Sequence, residues 1–116
     1  MSWNVKMHSD FYVEALALDP EVHLALAQRV ARLQEEGPSA GRPGFDSMAG
    51  TSFVNLREMR FEAASTVWRI AYAFDPRRKS VLLLAGEKSG GAQKRVQRAL
   101  VGTAEGRFQS YLDSLD

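Results

Sequence analysis

The residues best suited to chemistry are arginines and lysines gathered in one stretch. From Arg57 to Arg98 the sequence places ten basic residues (Arg57, Arg60, Arg69, Arg77, Arg78, Lys79, Lys88, Lys94, Arg95 and Arg98) among four acids, a local net charge of +6. The rest of the chain carries five basic and ten acidic residues, so a whole-chain charge of +1 hides two opposed halves. A basic half of this kind suits a polyanion, or is a solvated surface with clustered charge. Arg69 stands in the run Thr66–Phe74, where alternation puts Trp68, Ile70, Tyr72 and Phe74 on one face and Val67, Arg69, Ala71 and Ala73 on the other. With the aromatic row buried under helices, Arg69 projects beside two alanines. That is a shallow basin with room for a ligand, and a planar guanidinium can hold two oxygens of an anion at once. The alternative is a sheet arginine paired with Glu58.

The neighbouring candidates divide by the same alternation. Arg60 shares a face with Glu58, as a phosphate contact or as half of a cross-strand ion pair worth about 0.2–1 kcal/mol. Arg57 points to the opposite face, toward solvent or the rim of a site. Lys88 comes just after the last strand-like run, and Lys94, Arg95 and Arg98 make a basic stripe on the helix that follows. That stripe is either a solvated face or a set of nonspecific phosphate contacts. His8 and His23 are isolated from this cluster and read as structural or exposed. With no cysteine and no histidine–carboxylate spacing, the sequence offers no thiol nucleophile, disulfide, iron–sulfur cluster or tight metal site. Gly86 and Gly90-Gly91 fit neither nucleotide-binding glycine pattern, so no cofactor is expected.

The 116 residues that position these groups amount to one domain over 1–116. A chain of this size buries roughly two-thirds of its unfolded surface, enough for one core. Trp3–Met7 reads as a first strand. A helix capped by Asp10 carries Phe11, Ala15 and Leu18, and a second, starting at Asp19-Pro20, carries Val22, Leu26, Val30 and Leu33 on one stripe. Residues 37–51 hold four glycines and two prolines and read as a loop. Three strand-like runs follow, Phe53–Phe61, Thr66–Phe74 and Ser80–Glu87, the last apolar enough to lie covered on both faces. Two C-terminal helices close the chain, one with Val96, Leu100 and Val101, the other around Ala104–Leu115. The layout is β-α-α-β-β-β-α-α, an α+β fold with a three-strand antiparallel meander and early helices on one sheet face. No apolar run nears the roughly 18 residues of a membrane helix, and MSWNVKMHSD lacks a signal-peptide shape. A soluble, cytoplasmic protein with no membrane partner is the expectation.

The segments LREMRF (56–61), WRIAYAFDPRRKSVLLLAGEKSG (68–90) and ALVGTAEGRFQSYLDSL (99–115), with the loop GRPGFDSMAGT (41–51), resemble the RelE/ParE toxin superfamily in its HigB-type, phage-derived branch. The resemblance spans essentially the whole chain and rests on the order and spacing of motifs that are each weak alone. It implies a RelE-like fold and a toxin of a type II toxin–antitoxin module. The implied activity is ribosome-dependent cleavage of mRNA by attack of a ribose 2′-hydroxyl on the adjacent phosphate. By resemblance Arg69, Arg60 and Lys88 become the catalytic candidates, and Arg57, Lys94, Arg95 and Arg98 the RNA-binding ones. The implied partners are a cognate antitoxin of helix-turn-helix type, the ribosome and mRNA. Relatives also place a tyrosine near the helix after the last strand. Here Gln93 and basic residues stand instead, and Tyr72 falls on the core side, which leaves the general base unassigned. Two other readings come with the superfamily: a ParE-like toxin that inhibits DNA gyrase without cutting, and an inactive member that only binds its antitoxin.

Overall fold

The alternation read in Thr66–Phe74 is the axis of the structure. A computed structural model describes residues 2–88 and 93–115, the side chains of 88, 93 and 94 excepted. The elements in order are β1 (Asn4–Met7), α1 (Ser9–Ala15), α2 (Pro20–Glu36), β2 (Phe45–Ser47), β3 (Leu56–Ala63), β4 (Thr66–Phe74), β5 (Lys79–Lys88) and α3 (Gln93–Asp113), with a 3-10 turn at Gly37–Ser39. One five-stranded sheet runs β1-β5-β4-β3-β2, with β1 parallel to β5 and every other pair antiparallel. This is the expected α+β class.

The two sheet faces carry two cores. Ile70 and Tyr72 of β4 pack with Met59, Phe61 and Leu82 beneath Phe11 and Ala15 of α1 and Val22, Leu26 and Leu33 of α2. The early helices therefore cover the aromatic face, as their stripes predict. On the other face Leu56, Ala71, Ala73, Val81 and Leu83 lie under Leu100, Val101, Ala104 and Phe108 of α3. β5 serves both cores. A register shift between Ala71 and Tyr72 pairs Ala71 with Leu84 and Tyr72 with Leu82, so Leu83 turns to the α3 side.

Four details depart from the sequence reading. Residues 45–47 form a strand inside the predicted loop, because β3 offers them a register running from Phe45↔Met59 to Ser47↔Arg57. The C-terminal pair of helices is one helix, unbroken at Gly102 and Gly106. Phe53 precedes β3 and stacks edge-on against Phe108 with ring centroids 5.9 Å apart. His8, rather than Asp10, caps α1, its Nδ1 accepting from the Asp10 amide at 3.1 Å.

Two polar locks tie the layers together. Arg107 of α3 holds Glu14 of α1 with both terminal nitrogens, and also donates to the Leu83 carbonyl at 2.9 Å, just past the end of the β1 pairing. Asp75, buried after β4, accepts from the Arg77 and Lys79 amides on Oδ1 and from the Tyr111 hydroxyl on Oδ2. Burial opposes its charge, but these three donors outweigh it and hold the carboxyl below the ordinary aspartate range.

Candidate anion-binding cleft

Ala71 and Ala73 do not form the floor of an open basin. Both are fully buried, because residues small enough to leave room for a ligand also leave room for a helix, and α3 takes the space. The open part of this face is a cleft of about 470 Å³ lined by Glu58 and Arg60 of β3, Arg69 of β4, Gln97, Arg98 and Val101 of α3, and Ala49-Gly50. A second depression of about 440 Å³, around Arg42–Asp46, shares Glu58 and Arg60 with it.

The strand register explains what gathers there. Arg60 is directly opposite Arg69, and Glu58 is opposite Ala71 on β4 and Asp46 on β2. Like charges facing each other across a strand pair are destabilising, so the two arginines sit together against their mutual repulsion. Glu58 offsets part of it: its Oε1 accepts from Arg60 Nη2 at 3.1 Å. The ion pair is lopsided, with the Arg60 side chain 56% exposed and the Glu58 side chain 3%. Arg69 is held differently. Its Nη1 donates to Gln97 Oε1 at 2.5 Å, and Gln97 Nε2 donates to the Ala49 carbonyl at 3.3 Å, so Gln97 ties β4, α3 and the 49–50 loop. Two polar atoms remain buried without a partner, Oε2 of Glu58 and Nε of Arg69. With Arg98 added, the cleft sets three guanidinium groups against one carboxylate. That excess of positive charge suits an anion.

The remaining candidates separate from it. Arg57 lies on the α2 side of the sheet and donates to the Pro38 and Ala40 carbonyls at 3.0 and 3.2 Å, a structural use of its guanidinium. Arg95 is exposed on α3 and does not line the cleft. Lys88 ends β5 in register with Val67 and Lys94 lies in the first turn of α3, but their side chains lie outside the described residues. Glu58 is a partner of Arg60, not of Arg69 as the alternative reading had it. Its place inside the cleft and the bridging role of Gln97 were missed. Alternation puts Glu58 and Arg60 on one face, but only the register and the seat of α3 place them together with Arg69 and Gln97.

No histidine or tyrosine lines the cleft among the described residues. Tyr72 is fully buried in the first core, and burial pushes its phenol up to about 12. Tyr111 is pushed up to about 12 by burial and by its bond to Asp75. His8 caps α1, and His23 is exposed on α2. Among the described residues no three His, Asp or Glu side chains come together as metal ligands, and no helix is long and apolar enough to cross a membrane.

Comparison with known proteins finds relatives along most of the chain. Residues 14–109 match the family model of phage derived protein Gp49-like. The chain is 36% identical over 98 residues to the candidate toxin HigB3 of Mycobacterium tuberculosis, covering 84% of this chain and 83% of that protein. It is 39% identical over 75 residues to the candidate toxin HigB2 of the same organism, covering 63% of this chain and 37% of that longer protein. No solved structure matches significantly.

Proposed function

The chain belongs to the phage-derived Gp49-like family, in its HigB-type toxin branch, and from that premise we propose that it is the toxin of a type II toxin–antitoxin module and a ribosome-dependent mRNA endoribonuclease. The observation that carries this reading is the cross-strand pair of Arg60 and Arg69 in a cleft that Arg98 also lines. Two guanidinium groups held side by side against repulsion match the oxygens of a phosphodiester, where negative charge grows as the 2′-oxygen attacks. Arg69, fixed by Gln97, is assigned the phosphoryl charge, and Arg60 the second oxygen. Lys88, at the end of β5, is assigned the third positive charge. Lys94, Arg95 and Arg98 on α3 are assigned to RNA phosphates flanking the site, and Arg57 is withdrawn from that set because backbone carbonyls hold it.

Dependence on the ribosome is expected because the cleft shows no self-sufficient acid–base pair. A cleft of arginines grips and stabilises, but alignment of a 2′-hydroxyl with its phosphate must be imposed on the mRNA from outside. The cognate antitoxin, of helix-turn-helix type, silences the protein in the cytoplasm by meeting the basic cleft with acidic residues, which also speeds association.

The test is induction of the protein alone, followed by programmed ribosomes in vitro. Translation should stop, and mRNA should be cut only when ribosome-bound. Ongoing protein synthesis with failing DNA supercoiling would instead establish the gyrase reading. Efficient cutting of naked mRNA would remove the ribosome from the scheme.

A further inference from the structure

Glu58 is a charged residue of the cleft with no role in the cleavage scheme, and its surroundings are unusual for a structural ion pair. A carboxylate 97% removed from solvent ordinarily has both oxygens satisfied, because a buried charge without partners is costly. Here Oε1 has a single partner and Oε2 has none. The partner, Arg60, keeps more than half of its side chain in water. An ion pair with so exposed a member is weakly held, and a phosphate offers the same guanidinium a stronger, two-oxygen contact. We propose that Glu58 is the proton acceptor for the attacking 2′-hydroxyl, covered by Arg60 until a substrate phosphate draws that guanidinium away.

The proposal rests on the endoribonuclease reading and supplies the base that reading lacks. When Arg60 moves to the phosphate, Glu58 is uncovered beside the position where the ribose of that phosphate must lie. Its carboxylate takes the 2′-hydroxyl proton as the O2′–P bond forms. The P–O5′ bond breaks, its electron pair leaves with the 5′-oxygen, and that oxygen takes a proton from water. The hydroxide formed reclaims the proton from Glu58, leaving a 2′,3′-cyclic phosphate and a 5′-hydroxyl end. The charges facing Glu58 come from every neighbouring element: Arg60 on its own strand, Arg69 on β4, Arg98 on α3, and Asp46 on β2 with Arg42 bonded to it. Arg29 of α2 anchors the Arg60 carbonyl at 3.1 Å and keeps the backbone in place while the side chain moves. Coupling the base to phosphate arrival keeps the carboxylate shielded in the free protein.

Single-turnover cleavage of mRNA on programmed ribosomes, followed across pH, tests this. Glu58→Gln, nearly isosteric, should slow cleavage by about 10²–10⁴-fold, the usual contribution of a general base. It should also lose the acidic limb of the parent's pH–rate profile, while its binding to ribosomes carrying a 2′-deoxy message stays unchanged. Arg60→Ala should weaken that binding but keep the acidic limb. Glu58→Asp should cut slowly with the limb retained, and stands in should Glu58→Gln fail to melt cooperatively. A folded Glu58→Gln that cuts at the parent rate overturns the proposal. So does one that loses binding and rate together with an unchanged pH profile, for then Glu58 only holds Arg60. A parent protein that cuts no mRNA on ribosomes overturns the endoribonuclease reading first, and this inference with it.

Discussion

Two places in this molecule hold the same formal inventory, three basic side chains around one buried acid, and treat it in opposite ways. At the turn after β4 the acid is Asp75 and the bases are Arg77, Arg78 and Lys79. Both oxygens of that acid are satisfied. Oδ1 takes two amides, Oδ2 takes the Tyr111 hydroxyl, and Arg78 lies over the Trp3 ring at 5.5 Å. In the cleft the acid is Glu58 and the bases are Arg60, Arg69 and Arg98, and two buried polar atoms are left over. Net charge does not distinguish the two clusters. What distinguishes them is whether the acid's own oxygens are both used, and a carboxylate oxygen left over beside charges that repel one another suits a ligand.

Removing one arginine from each cluster should separate them most widely. Arg69→Ala should lose about 10²–10³ in cleavage rate, roughly 2.7–4 kcal/mol, the cost of one preorganised donor, and abolish growth arrest while still melting cooperatively. Arg69→Lys should recover only part, keeping charge but not the two-point geometry. Arg77→Ala should stay fully toxic. Equal toxicity of Arg69→Ala and the parent would erase the contrast.

The acids should behave the other way round. Asp75→Ala strips a half-buried hydroxyl and two amides of their acceptor, and should cost about 1.5–3 kcal/mol in denaturant unfolding, as expected for bonds to a charged group. Its folded fraction should cleave normally. The same residue sets a pH signature. Because its carboxyl is held below the ordinary range in the folded protein, it contributes stability above the unfolded aspartate value of about 3.9, and that contribution is lost as pH falls through the lower folded value. Asp75→Asn should flatten this part of the acid-unfolding curve. Glu14, held low chiefly by its hydrogen bond to Arg107, adds a decline of the same sign that Asp75→Asn leaves in place. The smallest effect belongs to Arg78→Ala, which removes an exposed cation–ring contact worth about 0.5–1 kcal/mol. A loss well above that would show the turn to be more tightly built than its hydrogen bonds indicate.

Much of this was legible in the sequence where periodicity speaks for itself. β4 runs over the residues its alternation marks, and Val22, Leu26 and Leu33 form the buried stripe of α2. Arg60 and Arg69 fall on one face as read. What was not legible depended on partners distant in the chain. Ala71 and Ala73 signal space without saying whether a helix or a ligand fills it. β2 is three residues in a glycine-rich loop and exists through its register with β3. Gly102 and Gly106 look like breaks, yet α3 continues through both because its buried stripe holds either side of them. Glu58 is a plain ion-pair partner on paper, and only packing reveals that one oxygen is left over.

The short margins of the sheet have a consequence for the protein at high concentration. One margin is β2, three residues long, and the other is β1, four residues long. Where β1 stops, Arg107 takes the next carbonyl of β5 for itself. Strand-to-strand polymerisation needs a run of free backbone donors and acceptors to template on, and each of these two strands is itself too short to offer a neighbouring copy more than a few residues of it. A chain made in surplus over whatever restrains it therefore meets its neighbours with two short outer strands, and where β1 ends the Arg107 guanidinium already occupies the Leu83 carbonyl.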